Sequence, residues 1–283
     1  MDSLLRGGRE MKQTPAETER GPLERWVPAP LLSLFGFLIA SLGALCGIGG
    51  GLFTTPLAHY GFRYSLRRSV AVSLSVVATT TVSASATELL HKDGAIFGWL
   101  VLVLAISALC GNQIGFYLVP RIPIRVLKGF FVVVLMAVGI QVILGSSSGG
   151  PEPGAISFSL LEYLGVALLG VSAGILVPLL GIGGGLAMVP GLLFLLPQIG
   201  YLGTRATSMA VAAITSCRSL WMYYRRGELD QRTGGWLALG ALVGAFVGVR
   251  WVHVPGVASA AQVLMGAILC LTSLRFAWDV RPK

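Results

Sequence analysis

Long apolar runs alternate with short polar breaks along this chain. No Asp, Glu, Lys or Arg occurs in 26–62, 69–87, 94–120, 129–151, 163–204, 233–249 or 251–274. Most of these runs can supply a helix of about 20 residues, enough to cross a hydrocarbon core. They fall into two similar halves, 29–144 and 157–278, joined by a Gly/Ser/Pro-rich linker at 145–156 that cannot hold a helix. Each half has the same order: an apolar stretch ending in GIGGG, a short apolar piece, then three longer segments. The three are expected near 66–90, 95–119 and 124–144 in the first half, and near 204–226, 233–252 and 256–274 in the second.

The repeat is written most plainly in GIGGGLFTTP at 47–56 and GIGGGLAMVP at 181–190, which are 134 residues apart. Gly36 matches Gly170 at the same offset, and Arg68 matches Arg205 after a three-residue insertion. Ala-Leu-Cys-Gly at 108–111 matches Ala-Leu-Val-Gly at 241–244, followed by Gly115 and Gly248. Such self-similarity predicts two structural repeats.

Three consecutive glycines, with another two positions before them, argue for a break in each helix. Non-helical backbone at membrane depth is tolerated where protein buries it or water reaches it. A break followed by a short helix leaves the first N–H groups without intrahelical partners. Here these belong to Gly50, Gly51 and Leu52, and to Gly184, Gly185 and Leu186, with Gly49 and Gly183 beside them. The partial positive charge of such a helix start suits a small anion. Pro56 and Pro190 lack an N–H, and as first-turn residues would displace the open donors by several positions. The competing use of these glycines is close helix packing. A nucleotide loop is not supported, because no strand precedes the cluster and no Lys-Ser/Thr follows it.

Composition agrees with a bilayer protein: 54% hydrophobic, 12% charged, mean hydropathy +0.79. That is too little polar surface for a water-soluble globule of 283 residues. The expected fold is an all-α polytopic membrane protein of two inverted repeats, each with a Gly-broken helix plus three transmembrane helices. The net charge of +9 sits in short loops, so topology explains it better than nucleic acid does. Residues 1–28 read as a solvated tail rather than a cleavable signal, and 279–283 as a C-terminal tail. Cys46, Cys110, Cys217 and Cys270 lie in or beside apolar runs with no CxxC pair and no His at ligand spacing, so neither a metal nor a disulfide framework is expected.

Lys and Arg positions favour one topology. If each glycine cluster is a turn near mid-membrane, its flanking pieces enter and leave on one side and the halves become inverted. With the N-terminus inside, the cytoplasmic loops hold Arg63, Arg67, Arg68, Arg121, Arg125, Lys128, Arg225, Arg226 and Arg232, and the C-terminus adds Arg275, Arg281 and Lys283. The outer loops hold Lys92, Arg205 and Arg250. A model with four complete crossings per half puts basic trios on both sides. The length of 158–180 counts the other way, because it is long for a half-helix.

The paired glycine motifs, each followed by RRSVAVSLSVV or TRATSMAVAAI and a polar turn, resemble the TauE/SafE family of membrane permeases over nearly everything after residue 28. The resemblance implies a transporter, with export of sulfite or sulfonated organic acids such as sulfoacetate as the associated activity. It implies an inner-membrane, multi-pass protein without cofactors.

Further candidates come from polar residues inside the apolar runs. Ser73, Thr80 and Thr87 share one helical face of a hydroxyl-rich segment and could replace water around an anion; they could equally bond their own helix carbonyls or glue helices together. Arg218 sits within the matching second-half segment, where a guanidinium could hold an oxygen pair or snorkel to the surface. Asn112 and Gln113 are expected to line a pathway or to bond between helices. Cys46 reads as a small buried hydrophobe, and Glu88, His91 and Asp93 as a solvated loop with the alternative of proton exchange. The expected function is alternating access for a small sulfur-containing anion, with proton coupling and a homodimer left open. A channel and a non-transporting scaffold are the alternatives. No nucleophile, base and orienting group assemble into an enzyme site.

Overall fold

A computed structural model describes residues 27–90, 96–118, 136, 159–254 and 256–280. The segment expected at 124–144, the linker, His91, Lys92, Asp93 and most of both tails lie outside the described residues. Nine α-helices are described: α1 (Ala29–Cys46), α2 (Gly51–Pro56), α3 (Leu66–Leu90), α4 (Gly98–Leu118), α5 (Leu160–Leu180), α6 (Gly185–Leu195), α7 (Gly200–Arg225), α8 (Gln231–Val252) and α9 (Val257–Val280). There is no strand among the described residues. Five helices are long and apolar enough to cross a membrane, and a sixth span arises if α6 and the helical run Pro197–Arg225, bent by 102°, count as one. The protein is a multi-pass membrane protein.

Local sequence sets the helix ends. Pro30 suits the first turn of α1, whose unbonded N–H groups make a proline harmless there. Ser159 and Glu162 form a reciprocal capping box at the start of α5. Both α1 and α5 end on a left-handed glycine, Gly47 at φ 74° and Gly181 at φ 68°. Pro56 removes one helical donor, and α2 passes directly into a π-helical turn, Leu57–Gly61.

Small residues decide which helices lie together. A Cβ on Gly36, Gly240, Gly244 or Gly248 would strike the backbone of Leu237, Ser33, Phe37 or Ser41, so α1 and α8 touch main chain to main chain. Gly111, Gly115 and Gly174 do the same for α4 and α5, against Val171, Ile175 and Ala108. The first helix of each half thus packs on the fourth helix of the other. Between these two pairs, α3 packs on both α7 and α8, and α4 on α7.

The same contacts fix chain direction. Ser33 Oγ donates to Trp236 O and Ser41 Oγ to Gly244 O, while Ser75 Oγ donates to Gly234 O and Ser83 Oγ to Leu242 O. Helices α1, α3 and α8 therefore run the same way. Helices α4, α5 and α7 run the opposite way: α7 begins beside the ends of α3 and α8, and its Tyr223 donates to Pro178 O near the end of α5. After the first break the chain folds back, with Gly50 against Ile39 and Gly43, and returns to the end where α8 starts. There Tyr64 Oη donates to Asp230 Oδ2 at 2.6 Å.

Ala29–Cys46 and Leu160–Leu180 are each long and apolar enough to cross a membrane, yet they run opposite ways and the clusters at their ends meet beside Val77, midway along α3. Two expectations are corrected. Glu88, read with the solvated loop at the end of its segment, is buried inside α3. Arg205, expected in an outer loop beside the start of its segment, lies inside α7 and is fully buried. The helix starts at Gly200, because the short Pro197–Ile199 turn already supplies its entry.

Candidate functional site

The two glycine clusters adopt the same backbone. Positive φ occurs at Gly47, Gly49 and Gly50, and again at Gly181, Gly183 and Gly184. Left-handed backbone costs most residues energy and glycine almost none, which accounts for the duplicated spacing. The clusters meet: a Cβ on Gly51 would strike Gly181 O, and one on Gly185 would strike Gly47 O. Thr55 Oγ1 also donates to Leu180 O at 3.2 Å. Val77, midway along α3, lies against both Gly49 and Gly183.

In α2 the first helical N–H groups to reach a carbonyl are those of Phe53 and Thr54, both on Gly50 O. In α6 they are those of Ala187 and Met188, both on Gly184 O. The preceding N–H groups, from Gly50 to Leu52 and from Gly184 to Leu186, are the unfilled donors of each turn. Space beside them is small. A cavity of about 10 Å³ lies next to the second break, lined by Leu176, Leu180, Ile182, Gly184, Leu186 and Ala187. That holds one water at most.

Ser73 joins the two breaks, donating to Gly181 O at 2.8 Å with Gly51 O at 3.3 Å. Thr80 is buried and its Oγ1 has no hydrogen-bond partner. Its neighbour Thr81 bonds its own helix at Val77 O and lies 3.5 Å from Ser216 Oγ. Asn112 is fully buried; Nδ2 donates to Thr215 O and Ser219 Oγ, and Oδ1 is unpartnered. Asn112 thus binds α4 to α7. Arg218 is not brought to the breaks: it is on the exposed face of α7 and donates to Gln113 Oε1 at 2.6 Å. Thr215, Ser216 and Ser219 take the inward face of that helix.

The group that sequence reasoning did not assemble, though it named Glu88 and Arg205 singly, is buried and ionic. Arg205 Nη2 donates to Glu88 Oε2 at 2.7 Å, and His253 Nε2 lies 3.1 Å from Glu88 Oε1. Arg205 Nη1 donates to Ala44 O at 3.0 Å, in the last turn of α1, while its Nε is buried without a partner. The Arg205 stem lies against Gly47: a Cβ there would be 2.8 Å from Arg205 Cγ. At the second break Gly181 faces Val70, an apolar residue where Gly47 faces Arg205. The available signal was Tyr201, four residues before Arg205 on one helical face, whose Oη donates to Leu45 O.

Basic residues separate by end. Arg63, Arg67, Arg68, Arg225, Arg226 and Arg232 gather where α3 and α8 start and α7 ends, with Arg67 3.9 Å from Glu228. The opposite end holds Arg205 and Arg250 among the described residues.

The family described as "Sulfite exporter TauE/SafE" matches residues 3–142 and 166–283. The chain belongs to that family. It is 29% identical over 117 residues to the "Probable membrane transporter protein MamO" of Paramagnetospirillum magneticum, covering 39% of this chain but 18% of MamO. The MamO protein of Magnetospirillum gryphiswaldense is 28% identical over the same length, again with 18% of it covered. "Probable membrane transporter protein MJ0441" of Methanocaldococcus jannaschii is 29% identical over 192 residues, 65% of this chain and 67% of that protein. The chain therefore spans less than a fifth of MamO and about two thirds of the archaeal relative. No solved structure matches it.

Proposed function

We propose that this member of the TauE/SafE family is a secondary transporter that exports a small sulfur-containing anion, sulfite or an organosulfonate such as sulfoacetate, across the inner membrane. The observation that carries the reading is the meeting of two identical glycine breaks, each with unfilled N–H donors. Donors aimed at a break suit an anion because helix starts are partially positive. Gly49 to Leu52 and Gly183 to Leu186 form the substrate contacts, Ser73 and Thr80 add hydroxyls, and Asn112 holds the wall. Arg218 acts at the pathway's exposed rim beside Gln113.

The opposed directions of the matching helices, α1 with α5, α3 with α7 and α4 with α8, support an inverted repeat. Opposed halves can exchange roles between inward-open and outward-open states. The clusters touch main chain to main chain, so anion passage between them requires them to part. The arginine-rich end faces the cytoplasm under the positive-inside rule, which places both termini inside. The membrane potential then favours anion exit by about 2.3 kcal/mol per charge per 100 mV.

The test is efflux of radiolabelled sulfite from liposomes holding the purified chain. Efflux is expected to saturate, to be competed by sulfoacetate, and to be lost in folded Gly50→Leu and Gly184→Leu variants. Their new side chains meet Ile39 and Val177 at a left-handed backbone. Non-saturating flux would identify a channel instead, and absence of any sulfur-anion flux would overturn the assignment.

A further inference from the structure

The Glu88, Arg205 and His253 cluster is separate from the unfilled N–H groups, and burial makes it costly. Side-chain exposure is 1% for Arg205, 2% for Glu88 and 11% for His253. An apolar set of the same volume commonly gives equal or greater stability than a buried ion pair, so stability alone gives no reason for one. The second break shows that alternative directly, with Val70, Ala71 and Leu74 forming an apolar wall.

Arg205 touches three things at once: the Glu88 carboxylate, Ala44 O at the end of α1, and Gly47 at the start of the break. Its Nε is a buried donor with nothing to bond. The groups facing the cluster are Cys46 from α1, Tyr201 and Met209 from α7, and His253 just beyond α8. Among these, Tyr201 is committed to Leu45 O.

We propose that Arg205 is a second anion-binding point at the first break, that Glu88 occupies it between cycles, and that protonation of Glu88, which exchanges its proton through His253, releases it. This rests on the transport reading above. A carboxylate and a sulfur oxyanion present the same charge-bearing oxygens to a guanidinium, so one can replace the other. His253 is the most exposed member and so the point where the proton is exchanged with water. Protonation of Glu88 removes the negative partner of Arg205, and a buried cation without a partner attracts the anion strongly. The proton on Glu88 and the anion on Arg205 then cross together, and the proton leaves when the anion does. Anion affinity therefore rises as pH falls.

The experiment uses the full chain in liposomes loaded with a pH-sensitive dye. Labelled sulfoacetate is the probe, because its sulfonate and carboxylate keep their charge between about pH 6 and about pH 8. Wild-type protein is expected to move protons with the anion, and its KM is expected to rise across that range, by at most about a hundredfold for one linked proton. Glu88→Gln is expected to lose proton movement and the pH dependence of KM, which changes by less than about twofold across that range at whatever anion flux the variant supports. His253→Gln supplies the second variant if Glu88→Gln fails to assemble; it is expected to slow proton movement more than anion exchange. Anion flux without protons in wild-type protein, or equal pH profiles in wild type and Glu88→Gln, would overturn the coupling and leave the transporter standing. Absence of flux for every sulfur anion would overturn both.

Discussion

The two glycine breaks share a backbone and differ in what surrounds them. Gly47 and Gly181 both end a span-length helix in the left-handed conformation, and each cluster presses on the other's carbonyl. Around Gly47 stand Arg205, Glu88, His253, Tyr201 and Cys46; around Gly181 stand Val70, Leu74, Phe116, Val177 and Tyr223. The lesson is a division of labour. Duplicated glycines build a frame whose two sides are equivalent, and a single ionic cluster makes one side chemically different. Under the proposed transport cycle, equivalence lets the halves exchange roles, and charge at one break links that exchange to a proton.

The comparison can be broken most severely at Arg205. Arg205→Leu leaves the buried Glu88 with His253 alone, and a loss of about 3–5 kcal/mol is expected, read as a large fall in melting temperature in detergent. Arg205→Leu combined with Glu88→Leu should recover most of that loss while abolishing pH-dependent transport. Next come the glycines that make the frame. Gly51→Ala and Gly185→Ala each push a methyl group onto the opposite cluster's carbonyl, and each should cost about 1–3 kcal/mol. Their transport defects should be similar; a defect in one alone would show that the breaks are not equivalent. Val70→Ala removes apolar wall at the second break only, with an expected cost of about 1–2 kcal/mol and no change in the pH profile. The smallest effect is expected at Arg218, whose exposed bond to Gln113 should be worth less than about 1 kcal/mol. Arg205 and Arg218 lie on the same helix, so that contrast isolates burial.

Much of the frame was legible in sequence because it rests on glycine. Spacing alone located both breaks and the helix at Leu66–Leu90, and it marked Gly36, Gly111, Gly244 and Gly248 as repeat positions, where the structure brings helices into main-chain contact. These features need a missing Cβ, and a missing Cβ is visible as a letter. The length of α1 and α5 was less visible: a break after a helix does not say how far the helix has already travelled. The ionic cluster was hidden for a different reason. A charge at the edge of an apolar run looks like the start of a loop, and Glu88 and Arg205, 117 positions apart, meet only when α3 and α7 pack. Arg218 is the converse case: an arginine deep in an apolar segment draws attention, and the exposed face of α7 carries it.

The central claim is that the two breaks part to carry an anion in turn from one side to the other. Trans-stimulation tests this most directly: labelled sulfite efflux is measured from liposomes with and without unlabelled sulfite outside. The expected result is faster label efflux with sulfite outside, reduced alike by Gly51→Ala and Gly185→Ala. Efflux unaffected by outside sulfite and by both glycine variants would contradict it.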